Sequence, residues 1–399
     1  MVNLPQHSIQ VILTHQAPSG AYPASPTFPT YRYSWFRDGA FIAYAMDVVG
    51  EHESARRFHD WVVRTLLRHR EQAERAIRRA ERGRPLDEDY LHTRYTLDGE
   101  IGDEEWPNFQ LDGLGTWLWA LAAHVRRRGD NPYTLPPPWR EAVKLTARYL
   151  AALWAYPCYD LWEEHPQYLH PYTLSAIYAG LWAAGELLAT ADRRRPTADS
   201  PSLSDVADRV RDFALTHGVQ DGHLVKSIVP PEGTPALGSS SSAVVGEASP
   251  TVGGPPSAAV DASLIGVSTP HRLLSPTDPL MQATVARIET DLHCEGGGVH
   301  RYRADTYYGG GEWVLLAGWL GWYYVEAGEP EQARALLRWI EAQADPEGNL
   351  PEQVSTHLLA PAYYSEWEAL WGPVAKPLLW SHAMYLILHR ALEGVSERT

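Results

Sequence analysis

The stretch Y-R-Y-S-W-F-R-D-G, residues 31–39, leads into an apolar-rich run over 40–49, a glycine at 50, and a second run from 51 to about 80. In both runs apolar side chains recur three and four residues apart, which is helical spacing, and Gly50 stops the first helix before the second begins. An irregular loop rich in aromatic and charged residues thus introduces a pair of helices, and the unit repeats. Further helices are expected at 6–16, 110–127, 140–155, 172–191, 203–217, 262–266, 280–292, 313–327, 331–344 and about 376–392. The loops before every second helix end near residues 37, 110, 172, 261, 312 and 376. Alternating strand patterns are few. Twelve helices in six loop-helix-helix units predict an all-α fold, a closed ring of hairpins with inner and outer helices and the six loops gathered at one end. The concave face of such a ring is where a site belongs.

The length of 399 residues allows two domains. We read one domain over 1–399, because the helical period resumes after its one interruption. That interruption, the Pro/Gly/Ser-rich stretch 230–256 with S-S-S-S and G-G-P-P, is expected to be a flexible loop. Acidic residues exceed basic ones, 49 to 34, for a formal charge of -15; nucleic acid is excluded as a partner, since the phosphate backbone needs a basic surface. The arginines between 68 and 84 are interleaved with Glu71, Glu74 and Glu81 and read as a solvated helix face. Cys158 and Cys294 make no disulfide scaffold and have no metal-ligand spacing, so neither a metal nor a cofactor is expected. The N-terminal stretch lacks a basic region followed by a long apolar run, so no signal peptide, membrane span or membrane partner is expected and the location is expected to be cytoplasmic. Sixteen Trp and 21 Tyr against 6 Phe suit stacking on sugar rings, and equally suit core packing.

The loops carry the chemistry. In the third, Y-D-L-W-E-E-H (159–165), Glu163 and Glu164 follow Trp162 in a segment without helical period. A carboxyl against an aromatic wall loses water, and its pKa rises toward that of a general acid; taken alone, W-E-E reads as an exposed helix end. The first loop holds Tyr31, Tyr33, Trp35, Arg37 and Asp38, and the Arg37-Asp38 pair either caps a helix or grips vicinal hydroxyls. The second holds Trp106 in W-P-N-F-Q-L-D-G, with Asp112 read as structural. The fifth, H-R-Y-R-A-D-T-Y-Y-G-G-G-E-W, holds Arg301 and Trp313; its three glycines permit close backbone approach or a plain turn. The sixth holds Glu352 in L-P-E-Q, where Pro351 disfavours helix at Leu350. Alone, Glu352 would be an ordinary surface carboxylate.

With V-D-A-S-L (260–264) and P-L-L-W-S-H-A (377–383), these motifs resemble, in order and over nearly the whole chain, the series of the glucoamylase-type enzymes, glycoside hydrolase family 15. The resemblance implies an (α/α)6 barrel and an inverting hydrolase of α-glucosides. It implies that Glu163 is the general acid and Glu352 the general base that activates water. Arg37 and Asp38 would hold the terminal glucose and Arg301 its other hydroxyls. Trp106, Trp162 and Trp313 would wall the site, Tyr31 and Trp35 would sit near the water and the acid, and Glu164 would contact the sugar on the leaving side. Members often carry an additional β-sandwich or starch-binding module that the 30 residues before the first motif do not accommodate. Short α-glucosides, isomaltose-type α-1,6 or malto-oligosaccharide α-1,4, are therefore the expected substrates. A trehalase of the same family is the alternative, and a non-catalytic glycan-binding or regulatory barrel the alternative of another class. The sequence assigns no oligomeric state.

Overall fold

Two kinds of helix alternate along the chain. Val314–Ala327 buries eleven of its fourteen residues, whereas the next helix, Pro330–Ala342, buries three of thirteen. A helix that is apolar all round belongs inside, and one with a single apolar stripe lies outside. In the computed structural model, residues 2–129, 135–189, 202–235 and 259–396 are described. They contain thirteen α-helices: α1 (Leu4–His15), α2 (Phe36–Val48), α3 (His52–Arg68), α4 (Arg70–Glu81), α5 (Asp112–Arg128), α6 (Pro137–Leu153), α7 (Pro171–Leu188), α8 (Leu203–His217), α9 (Pro279–Leu292), α10 (Val314–Ala327), α11 (Pro330–Ala342), α12 (Tyr364–Trp371) and α13 (Leu379–Ser396). Most of the 230–256 stretch lies outside the described residues.

The inner ring runs α2, α5, α7, a short 3-10 helix at Ala262–Val267, α10, α13 and back to α2, each packed on the next. The outer helices α3, α8, α9, α11 and α1 back α2, α7, the 3-10 helix, α10 and α13 respectively, and α6 packs on α7 and α3. This is an (α/α)6 barrel. The tightest crossing is between α5 and α7, where a Cβ on Gly115 would lie 2.2 Å from the Ala176 carbonyl oxygen and one on Gly180 would lie 2.6 Å from the Gly115 Cα. Only glycines allow these backbones to approach so closely.

Three two-residue antiparallel ribbons stitch the loops together. β1 (Ser34–Trp35) pairs with β2 (Arg94–Tyr95), setting Trp35 opposite Arg94. β3 (Val219–Gln220) pairs with β4 (His223–Leu224). β5 (Glu312–Trp313) pairs with β6 (Gln353–Val354), setting Trp313 opposite Gln353. Because β1 holds the chain extended up to Trp35, α2 starts at Phe36 rather than 40, which places Arg37 and Asp38 in its first turn. The helix expected over 51–80 is two helices, broken at His69, whose ring pairs with the Gly99 carbonyl at 3.0 Å. The helix α12 was not expected and buries none of its residues. The count of twelve is corrected accordingly: the ring has twelve helical positions, one of them 3-10, with α4 and α12 added. No helix among the described residues is long and apolar enough to cross a membrane.

Candidate active site

The third loop is built around Asp160. Its Oδ1 accepts the backbone N–H groups of Trp162 and Glu164, each at 2.9 Å, its carbonyl accepts that of Glu163 and its N–H donates to the Glu164 carbonyl. These four bonds hold Glu163 at φ 67, a left-handed conformation that costs a non-glycine residue roughly 1–2 kcal/mol. The turn aims the Glu163 side chain at two indoles: Trp35 Nε1 donates to Oε1 at 2.5 Å and Trp106 Nε1 to Oε2 at 2.6 Å. Arg37 Nη2 lies 3.9 Å from Oε1. Burial raises the Glu163 pKa to about 7, against the opposing pull of Arg37 and the Trp35 hydrogen bond.

Arg37 and Asp38 are both buried. Arg37 donates to Gln110 at 2.8 Å and pairs with Asp112 at 3.3 Å and Asp38 at 3.2 Å. Asp112 is thus an anchor for Arg37, in line with the structural reading of it. Asp38 lies in the first turn of α2, where its carboxyl draws on its own backbone N–H and on Arg37, while Oδ2 is buried without a well-formed hydrogen bond.

Glu352 arrives from the other side of the ring. Its N–H donates to the Ala375 carbonyl and its carbonyl accepts from Val314. Ser381 Oγ donates to the Pro351 carbonyl at 2.8 Å, and the Leu350 N–H donates to His382 Nε2 at 3.1 Å, so P-L-L-W-S-H-A clamps L-P-E-Q. A Cβ on Gly311 would lie 2.5 Å from the Val354 carbonyl oxygen, which explains that glycine as close backbone approach. The Glu352 carboxyl is 2% exposed, and its Oε2 has no hydrogen-bond partner. Burial raises its pKa to about 8, with the Tyr31 hydroxyl and Arg301 pulling the other way. Tyr31, whose hydroxyl is 2.9 Å from that of Tyr307, interacts with Glu163 as well as Glu352. Asp38 likewise acts on both carboxyls, so the two lie about one site.

Arg301 is fixed by a two-pronged pair with Asp305, at 2.8 and 2.5 Å, inside a cage of Trp162, Tyr302, Tyr307 and Trp313 rings 5.1–5.4 Å from its guanidinium carbon. Trp162 and Trp313 lie 5.4 Å apart, and Trp162 Nε1 donates to Asp261 at 3.0 Å. Glu164 accepts from the Tyr302 hydroxyl at 2.6 Å and lies 3.6 Å from Arg301. All eleven residues singled out from sequence are therefore brought to one region.

Sequence reasoning missed several neighbours. Lys226, 4% exposed, places Nζ 2.9 Å from Asp261, 3.2 Å from Asp160 and 3.8 Å from Glu164, over the Tyr302 ring at 3.5 Å. Its one signal was a cation between apolar neighbours in L-V-K-S-I-V. Arg94 is sandwiched between Trp106 at 3.6 Å and Tyr33 at 4.0 Å and acts on Glu163 from behind.

A helical barrel whose loops bring a half-buried and a buried carboxyl into an aromatic site is the build of a glycoside hydrolase. The model of the glycosyl hydrolases family 15 matches residues 3–365, and the chain belongs to that family. It is 44% identical over 387 residues to the isomaltose glucohydrolase of Kribbella flavida, covering 96% of this chain and 91% of the relative. A glycosidase variant solved in complex with glucose superposes with a TM-score of 0.84 at 42% identity, covering 98% of this chain and 96% of that one. A bacterial glucoamylase complexed with acarbose shares the fold, with a TM-score of 0.66 at 19% identity over 98% of this chain and 55% of that one. The protein is a glycoside hydrolase.

Proposed function

We propose that the protein is an inverting exo-acting α-glucosidase that removes the terminal non-reducing glucose of short α-glucosides, isomaltose foremost, and releases β-D-glucose. The observation that carries this reading is the pair Glu163, half-buried, and Glu352, buried, on separate loops about a site that Tyr31 and Asp38 share. The linkage is supported by the 44% identity to an enzyme named for isomaltose.

In this mechanism Glu163 gives its proton to the glycosidic oxygen as the bond to the anomeric carbon breaks. A water attacks that carbon from the opposite face and loses its proton to Glu352 Oε2. Inversion requires the carboxyls to stand roughly 6.5–9.5 Å apart, leaving room for the water. Burial alone ranks Glu352 above Glu163 in pKa, the reverse of what a base and an acid need. The attacking water supplies the hydration that Oε2 otherwise lacks, and with Arg301 it favours the anion; the substrate keeps Glu163 dry and protonated. Arg37, Asp38 and Arg301 present fixed donors and acceptors to the sugar hydroxyls, and Trp106, Trp162 and Trp313 wall the ring.

Initial rates on isomaltose, maltose, trehalose and soluble starch test the proposal. Isomaltose should be hydrolysed fastest and starch poorly. Faster hydrolysis of trehalose would replace the substrate, and inertness to all four would overturn the reading.

A further inference from the structure

Away from the catalytic loops, Asp47, His59 and His124 meet where α2, α3 and α5 pack together. Asp47 lies nine residues beyond Asp38 on α2, about 14 Å along the helix axis. The three are 2%, 0% and 1% exposed, and one donor atom from each lies within 4.8 Å of the others. His124 Nδ1 is 2.9 Å from both Asp47 oxygens, and His52 Nδ1 is 2.9 Å from Oδ1. His59 is the anomaly, since neither ring nitrogen has a hydrogen-bond partner. A neutral imidazole carries one donor and one acceptor, and buried polar atoms are rarely left unpaired.

We propose that Asp47, His59 and His124 bind a dication of the zinc class. Two imidazoles and a carboxylate suit zinc and the later transition metals, whereas magnesium and calcium prefer all-oxygen sites. His124 also lines a cavity of about 530 Å³ bounded by Arg56, Asp60, Arg64, Arg128 and Trp139, so the cluster meets that cavity on its His124 side. On binding, His124 takes the tautomer with its proton on Nε2, which frees the Nδ1 lone pair facing Asp47 for the ion, and metal bonds replace the Nδ1–Asp47 hydrogen bond. The ion acts as a structural clip between two inner helices and one outer helix. Because α2 and α5 also carry Arg37, Asp38 and Asp112, it holds the roots of the sugar site in register without touching substrate.

The test uses tag-free full-length protein stripped with a chelator, with Zn2+ and Co2+ as probes. The proposal expects one equivalent bound per chain, a melting temperature that rises with Zn2+, and the intense visible bands of tetrahedral Co2+ without a thiolate-to-cobalt band. His59→Gln should weaken binding by more than the roughly 10–100-fold typical of losing an outer-shell partner and abolish the rise of the melting temperature with Zn2+. Failure of the wild type to bind, an octahedral cobalt spectrum, or unchanged affinity in His59→Gln would each overturn it. A thiolate band would also overturn it, placing the ion at Cys294, Glu312 and His357, the other candidate cluster. If His59→Gln does not fold, the wild-type cobalt spectrum decides alone.

Discussion

The indole N–H of Trp35 donates to Glu163 Oε1 at 2.5 Å, joining residues 128 positions apart in sequence. This bond favours the ionised carboxyl and so opposes the upward push of burial on its pKa. Trp35→Phe keeps an aromatic ring and removes the donor, so the Glu163 pKa should rise. The pH dependence of kcat/KM should then show its basic limb moved to higher pH, on top of a lower maximum. A limb that stays put or moves down would mean that Glu163 is not the group that must be protonated.

Glu163→Gln and Glu352→Gln should each lower kcat by about 10²–10⁴-fold, the usual worth of positioned acid-base groups, with circular dichroism unchanged. Near-normal turnover in either variant would remove that residue from the mechanism.

Glu352 also predicts a pH dependence of stability. Its pKa is about 8 in the fold against about 4.3 in an unfolded chain. The ionised form is thus penalised in the native state: there is no penalty below pH 4, and it grows as pH rises toward 8. Relative to wild type, Glu352→Gln should therefore melt higher at pH 8 than at pH 5. The same difference at both pH values would contradict the burial argument.

Lys226 neutralises Asp160 and Asp261 at 3.2 and 2.9 Å. Lys226→Met leaves these carboxylates buried without their cation, which costs about 3–5 kcal/mol for a broken buried pair. Urea unfolding should show a loss of this size. Turnover should fall as well, since Asp160 shapes the Glu163 turn.

At the crossing of α5 and α7, Gly180→Ala sets a methyl group against the Gly115 backbone at 2.6 Å. Overpacking of this kind costs roughly 1–3 kcal/mol, to be read from the melting curve; an unchanged curve would mean that the crossing has slack.

Much of this was legible in the sequence because helices advertise themselves by period. Each exception has its own cause. The start of α2 is set by a two-residue ribbon with Arg94 and Tyr95, a long-range pairing that no local pattern encodes. The break at His69 carries neither Gly nor Pro, and α12 buries nothing and so has no core stripe. In the site, Glu163 and Glu352 stood out through the words around them, W-E-E and L-P-E-Q. Lys226 and Arg94 have no such words: their importance comes from what folding sets against them, three carboxylates in one case and two aromatic rings in the other. His59 and His124 are 65 positions apart (124 minus 59), a separation without any metal-ligand signature, and only the packing of α3 on α5 brings them together.

In the proposed mechanism water attacks with inversion between Glu163 and Glu352. Proton NMR of the first glucose released from isomaltose, read before mutarotation mixes the anomers, tests it most directly. The β anomer should appear first; initial appearance of the α anomer would rule out inversion.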